Sequence, residues 1–219
     1  YDQVAKIIKT GHTYAHDIGK LKYYDDGNNR IRYFLNAAGT GLDEMVCHST
    51  NLMKQQGKGG TIRYLISLVK CILTYKVTHI QLTIDNKLVF DDYILNLSIG
   101  NGRFNGGGMM TMPNAIPNDG LLDVTVIKKV SIFKFAANVK NLYDGSFINK
   151  INEVKTFKGK NIHIVSIPPH SLKVETEGEN LNNSPFDIEV LPMAINMVIP
   201  KDIGQKPQKK KHRFKKNNN

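Results

Sequence analysis

A mainly β chain with a few helices, arranged as an antiparallel β-sandwich, is what this sequence predicts, on two observations. Nine or so short strand-like stretches follow one another with Pro, Gly and Asn between them. From Thr78 the hydrophobic period becomes two: Ile80, Leu82 and Ile84 alternate with His79, Gln81, Thr83 and Asp85, which gives a strand one wet face.

The elements follow in order. DQVAKIIK at 2–9 sets Val4, Ile7 and Ile8 at helical spacing, a short helix that joins an upstream domain. Strand-like stretches near Ile18–Tyr24 and at Arg30–Ala38 flank DDGNN, a turn signal. Two helices fit within Leu42–Gln56 and Thr61–Tyr75; in the second, Leu65, Leu68, Val69 and Ile72 recur along one buried face. Asp85-Asn86-Lys87 reads as a tight turn into Leu88–Asp91. Tyr93–Ile99 and Leu122–Ile127 are strands around a glycine-rich loop, and Ser131 is placed to cap a helix over Ile132–Leu142. Strands near 161–165, 172–175, 186–190 and 195–199 complete the pattern. No internal repeat is visible.

The 219 residues allow one large domain or two small ones. Folding would reduce the accessible surface from roughly 36,000 to roughly 10,000 Å², enough for a sizeable core. With 41% hydrophobic and 22% charged residues the chain is neither mainly disordered, nor collagen-like, nor a coiled coil. Its longest apolar stretch, Tyr64–Tyr75, is broken by Lys70, so a membrane-spanning helix is not expected. Cys47 and Cys71 have no CxxC spacing, which argues against a disulfide scaffold or structural zinc and points to a reducing cytoplasm. The first residue is Tyr1, without Met or signal pattern, as in a piece excised from a longer protein.

The net charge of +11 falls to +4 when the seven basic residues of the segment from Gln205 onward are set aside. That segment, QKPQKKKHRFKKNNN at 205–219, is too polar to offset its ordering entropy and is expected to be disordered. It is either a solvated tail or an attractor of anionic lipid or nucleic acid, each Lys or Arg contributing about 1 kcal/mol near such a surface.

Four stretches carry candidate chemistry. Gly100-Asn101-Gly102-Arg103-Phe104-Asn105-Gly106-Gly107-Gly108 fits neither the dinucleotide fingerprint nor a P-loop. It reads as an anion-binding run of backbone N–H groups or as a wide bulge or hairpin loop. In Pro113–Asp123, Asn118-Asp119-Gly120 is a turn signature, and Asp119 is also a hard oxygen ligand for Mg2+ or Ca2+. In Glu175-Thr176-Glu177-Gly178-Glu179, an extended chain points Glu177 and Glu179 to one side, so their repulsion raises one pKa. Such a pair suits general-base work on a hydroxyl, or forms the charged end of a hairpin. Asn36–Asp43 is a strand-to-helix junction with two glycines, and helix N-termini favour anions. His12 and His16 lie in an extended segment with no third ligand, so zinc is set aside.

Taken in order, NAAGTGLDEMV at 36–46, IGNGRFNGGGMMTMPNAIPNDGLLDV at 99–124, and EGE followed by PFDIEVLPMAINMVIP ending at Pro200 resemble the bacterial lipid kinases of the diacylglycerol kinase family, relatives of the sphingosine kinases. The resemblance implies two domains: an α/β nucleotide-binding domain with a GGDGT loop, and a β-sandwich that supplies the base and much of the lipid site. No GGDGT occurs here, so the resemblance makes residues 11–204 the second domain. Residues 1–10 become a linker helix from the nucleotide-binding domain, and 205–219 a disordered basic tail. The resemblance further implies Glu179 as proton acceptor, with Glu177 where the family has Asp, one methylene longer. It implies Gly100, Gly102, Gly106 and Gly107 near phosphate at the interdomain cleft. A structural Mg2+ is implied on the Asp119 carboxylate and the carbonyls of Ile116 and Leu121. ATP would be the co-substrate, and the acceptor a diacylglycerol-like lipid hydroxyl at a membrane surface, reached by a cytoplasmic, peripheral protein whose tail thereby gains a role.

The rival reading is a non-catalytic β-sandwich module that binds anionic lipid. Nucleic-acid binding through the tail ranks below both, because the body lacks a base-reading motif. An edge strand also offers pairing between two copies. Nothing in the sequence discriminates among diacylglycerol, phosphatidylglycerol and sphingoid bases.

Overall fold

The computed structural model of the chain describes residues 2–25, 27–56, 70–183 and 185–200. Helix α1 (Asp2–Thr10) leads into β1 (His12–Asp25), β2 (Asn28–Phe34), β3 (Ala37–Gly41) and α2 (Leu42–Gln55). Next come β4 (Thr78–Ile84), β5 (Lys87–Gly100), β6 (Leu122–Lys128), α3 (Ile132–Asp144) and α4 (Phe147–Lys150). The remaining strands are β7 (Val154–Gly159), β8 (Asn161–Ile167), β9 (Lys173–Thr176), β10 (Glu179–Asn183) and β11 (Phe186–Ile199).

The predicted antiparallel β architecture is what forms. One curled sheet runs in the order β10-β9-β3-β5-β4-β8-β11-β1-β2, with β6 added on β5 and β7 on β6. Its curl follows from three 14-residue strands, β1, β5 and β11, each too long to stay in one plane. Bulges between His16 and Ile18 and between Ile94 and Asn96 bend two of them. The first half of β5 pairs with β4, and its second half lies between β3 and β6. Between the curled faces sit Leu21, Phe34, Ile80, Leu82, Ile94, Leu97, Val124, Ile162, Ile164 and Phe186, all buried. Each such side chain contributes about 1.5–3 kcal/mol relative to exposure. A second core lies under the helices: Leu42 and Val46 of α2 and Phe135 and Leu142 of α3 join Phe147, Leu95 and Ile127.

Local expectations hold where the signal is local. Ile80, Leu82 and Ile84 are buried while Gln81 and Thr83 are not. Asp85 and Asn86 make the β4–β5 turn with φ of 48° and 66°, the left-handed pair a tight hairpin demands. Ser131 Oγ accepts the Lys134 N–H at 3.2 Å, and Gly145 ends α3 at φ 73°. Three boundaries differ. The strands expected near 186–190 and 195–199 are one, β11, because the chain pairs with β1 along that whole stretch. The stretch Arg30–Ala38 is not one strand but two, broken at Leu35-Asn36, because β2 pairs with β1 while β3 pairs with β5 and β9. Leu88–Asp91 and Tyr93–Ile99 are one strand, since Asp91, Asp92 and Tyr93 pair consecutively with Gln81, Ile80 and His79 of β4. Most of the helix expected within 61–75, and the 205–219 tail, lie outside the described residues.

The strand order has a consequence for function. Strands β10 and β2 stand at opposite ends of that order. The curl brings them together, and side chains of the Glu177-Gly178-Glu179 turn bridge the seam.

Candidate active site

The rim of the site is this turn. Glu177 and Gly178 link β9 to β10 with φ of 53° and 82°, a two-residue hairpin geometry. Glycine takes it freely; for Glu177 it is offset by two hydrogen bonds. Its Oε1 accepts the N–H of Leu35 at 2.9 Å and of Asn36 at 2.7 Å, across the seam. Glu179 is exposed at the first position of β10, and its carboxylate meets the Arg32 guanidinium of β2. The two carboxylates therefore do not stand together on one side of an extended chain, as the sequence suggested. The turn sends Glu177 to backbone amides and Glu179 to a cation.

The floor lies beneath. In the ladders Gly39 of β3 stands directly between Ser98 of β5 and Glu175 of β9. A Cβ on Gly39 would sit 2.9 Å from both Asp43 Oδ2 and Glu175 Oε1, so only glycine lets both carboxyl groups close over the strand. Asp43 Oδ2 accepts from Ser98 Oγ at 2.8 Å, Asn96 Nδ2 at 3.0 Å and Asn105 Nδ2 at 3.3 Å. Burial pushes Asp43 above the usual carboxylate range, against these bonds. Glu175 is 5% exposed. Burial, then the nearby charge of Asp43, and further those of Glu177 and Glu44, push it up to about 8. The carboxyl of the ETEGE stretch that burial raises is Glu175.

Helix α2 is stapled to this hairpin. Asn180 Nδ2 donates to Glu44 Oε1 at 3.0 Å, and Asn51 Nδ2 to the Gly178 carbonyl at 2.9 Å. Cys47 lies in the same interface, and burial followed by the charges of Glu175 and Glu44 raises its thiol to about 12, which makes it unreactive. The α2 N-terminus is no anion site: Asp43 and Glu44 occupy its first turn, and the Asp43 N–H is bound to Asn96 Oδ1 at 2.8 Å.

The glycine loop closes the site from the third side. Asn36 is the hub. Its carbonyl accepts the N–H groups of Asn101 at 3.0 Å and Gly102 at 3.1 Å, and its Nδ2 donates to the Phe104 carbonyl at 3.0 Å. A Cβ on Gly100 would lie 2.2 Å from the Asn36 carbonyl oxygen, and one on Gly102 1.7 Å from Asn36 Oδ1. These two glycines serve close packing on Asn36. Gly106 donates its N–H to Asn105 Oδ1 at 2.8 Å, Gly107 has φ 69°, and Gly106–Gly108 form an exposed single turn. Three of the stretches singled out in the sequence, 36–43, 99–108 and 175–179, thus meet at one place.

The fourth, Pro113–Asp123, is coupled to it through a residue the sequence did not flag. Asp17, fully buried at the β1 bulge, accepts N–H groups from Gly120 and Met193, each at 2.7 Å. Its own N–H goes to the Pro117 carbonyl at 2.8 Å, and its carbonyl accepts from Asn101 Nδ2 at 3.0 Å. The alternation of β1 carries a hint: Asp17 falls among residues that pack inward. The divalent-ion arrangement implied for Asp119 meets a different occupant. Asp119 Oδ1 accepts the Leu121 N–H at 3.1 Å, and Oδ2 faces Lys158 Nζ at 3.2 Å. Lys158 also reaches Asp123 Oδ2 at 2.8 Å and the Asn114 carbonyl at 3.1 Å. Both Asp119 oxygens are thus engaged within the chain, one of them by a cation.

Comparison with known proteins places this architecture. Residues 36–199 match the family described as the YegS C-terminal NAD kinase beta sandwich-like domain. The chain belongs to that family. The match begins at the hub Asn36 and spans the floor, the rim and the glycine loop. Among curated relatives, a diacylglycerol kinase of Mycobacterium tuberculosis (strain ATCC 25618 / H37Rv) is 28% identical over 90% of this chain and 61% of its own length. A Staphylococcus aureus (strain MRSA252) protein that carries a provisional lipid kinase name is 31% identical over 82% of this chain and 58% of its own. A crystal structure from Bacillus anthracis str. Sterne, described provisionally as a diacylglycerol kinase, superposes with a TM-score of 0.67 at 26% identity, covering 92% of this chain and 61% of that one. The chain thus spans about three fifths of the relatives it matches. No helix of the described residues is long and apolar enough to cross a membrane.

Proposed function

We propose that this chain is the substrate-side domain of an ATP-dependent lipid kinase, and that Glu179 is the base that takes the proton of the lipid hydroxyl. The observation that supports it most is the seam: three stretches distant in sequence converge there around an exposed carboxylate held by Arg32. In the reaction the hydroxyl oxygen attacks the γ-phosphorus of ATP, its proton passes to a Glu179 oxygen, and ADP leaves. Mg2+ bound with the nucleotide would supply charge to offset that of its phosphates. Glu177 is a positioning residue in this scheme, since its carboxylate is committed to the Leu35 and Asn36 amides. Arg32 aims Glu179 through their ion pair. The exposure of the Gly106–Gly108 turn and of Phe104 supports reading them as the surface that meets phosphate and a membrane-held acceptor, and in this scheme the basic 205–219 segment adds attraction to anionic lipid.

The relatives' names and the partial coverage of their length support placing the nucleotide-binding half outside this chain. The deciding experiment is transfer of labelled phosphate from ATP to a panel of diacylglycerol, phosphatidylglycerol and sphingoid base, with the complete gene product beside this chain. Labelled lipid from the complete protein alone is the expected result, and it names the acceptor. No labelled lipid from either, both folded, would favour a non-catalytic lipid-binding module.

A further inference from the structure

The loop Pro113–Leu121 carries a cation of its own. Lys158 stands directly opposite Asp123 in the β6–β7 ladder, so the register alone delivers its side chain to this place. There the ammonium is surrounded by oxygen: Asp123 Oδ2 at 2.8 Å, the Asn114 carbonyl at 3.1 Å and Asp119 Oδ2 at 3.2 Å. Two carboxylates and a backbone carbonyl are the ligand types that a hard divalent ion selects. One of the carboxylates, Asp123, is buried at 5% exposure and would be costly to leave uncompensated. The rest of the loop is already fixed, by Asp17 to Gly120 and Pro117 and by Arg103 Nε to the Ala115 carbonyl at 3.1 Å. The donor set is therefore preformed, and the ammonium is in it.

We propose that Lys158 is the resident cation of this loop, and that a divalent ion reaches Asp119 only by displacing it. The tether makes the ammonium a competitor at high effective concentration, present at every step of folding and independent of metal supply. Mg2+ gives up its water reluctantly and needs near-octahedral oxygen at short range, so it gains least where one carboxylate is already neutralised. Removing the ammonium changes the balance: Asp119 and Asp123 then face each other across an open cradle with the Asn114 carbonyl beside them.

The test is a melting curve of this chain in EDTA and across a magnesium chloride series, with titration calorimetry beside it. Because nothing in it depends on phosphate transfer, it stands apart from the kinase reading. The unaltered chain should melt at one temperature throughout. Lys158→Met should melt lower in EDTA and recover with Mg2+. Its Mg2+ affinity should rise by roughly ten- to a hundredfold over the unaltered chain, the range that one charge-assisted hydrogen bond opens. Adding Asp119→Asn should abolish that recovery. A folded Lys158→Met with no Mg2+ response, or an unaltered chain stabilised by Mg2+ as strongly as the variant, overturns the proposal. If Lys158→Met does not fold, the unaltered chain and Asp119→Asn decide. A saturable rise in melting temperature that Asp119→Asn removes counts against the proposal. No Mg2+ response in the unaltered chain, with a lower melting point for Asp119→Asn in EDTA, upholds it.

Discussion

Glu175 and Glu179 leave the same hairpin and are the same residue type, yet they inhabit opposite environments. Glu175 is buried against Asp43 under the glycine loop, its carboxyl pushed up to about 8. Glu179 stands in water beside the Arg32 guanidinium. The floor has neutral donors, close packing and an obligatory glycine; the rim has backbone amides, a cation and solvent. Residue type alone does not decide whether a carboxylate can receive a proton at neutral pH. The register of the strands around it does. In this domain the floor is closed by packing, and the rim is open to solvent.

The largest expected effect belongs to the rim. Glu179→Gln in the complete protein should reduce phosphate transfer by roughly 10²–10⁴-fold, the usual contribution of a general base. The melting temperature should stay within error, because Glu179 is exposed and its ion pair is a surface one. Unchanged turnover would move the base elsewhere and leave the rim a mere closure of the sheet.

The largest effect on stability belongs to the floor and depends on pH. The Glu175 carboxyl rises from an ordinary 4.5 to about 8 on folding, so the folded chain binds a proton that the unfolded chain releases. Its stabilising contribution is fully present below about pH 4.5, diminishes as pH rises, and is lost once pH passes about 8. Urea midpoints should therefore fall between pH 5 and pH 8.5, by up to about 1.4 kcal/mol per pH unit from this one group. Glu175→Gln should flatten that slope. A slope that survives the substitution would assign it to the other carboxyls that burial pushes upward, Asp43, Glu44 and Asp123.

How much of this could be read in advance follows from the range of each signal. The alternation of β4, the Asp85-Asn86 turn and the Ser131 cap are written within a few residues, and they appear where the sequence places them. The stretches 36–43, 99–108 and 175–179 were each legible as unusual, because glycines and paired acids stand out in a strand. What they make together was not legible. That Gly39 lies between Ser98 and Glu175 is fixed by pairing among β3, β5 and β9, which no local period encodes. For the same reason the notable acids of the hairpin read as Glu177 and Glu179, while Glu175 passed as a strand residue. Asp17, Arg32 and Lys158 were invisible, since each acts on a partner far along the chain. The all-small sequence of β3, Ala-Ala-Gly-Thr-Gly, was the one local sign that something would crowd over it.

Gly39→Ala tests that crowding directly. Its Cβ would meet Asp43 Cβ at 2.8 Å and both carboxyl oxygens at 2.9 Å, so the floor must open. Overpacking of this kind costs about 1–3 kcal/mol, to be read as a lower urea midpoint. If the floor and rim are separate in function, transfer by the folded fraction of the complete protein should fall far less than in Glu179→Gln. An equal loss would mean that the floor's shape is itself part of the chemistry.

The smallest effect is the most discriminating for the seam. Glu177 combines a strained backbone, φ 53°, with two amide hydrogen bonds to Leu35 and Asn36. Glu177→Ala removes the bonds and keeps the strain; Glu177→Gly removes both. Each exposed hydrogen bond contributes about 1 kcal/mol net, and left-handed backbone costs a non-glycine residue about 1–2 kcal/mol. The alanine variant should therefore lose about 1–2 kcal/mol in chemical denaturation, while the glycine variant stays within about 1 kcal/mol of the parent. Equal losses would show that the strain is negligible and that the amide bonds alone lace β2 to the hairpin. Equal stability of all three would show that the seam is held by Arg32 and Glu179, and transfer would then become sensitive to Arg32→Ala before it responded to any change at Glu177.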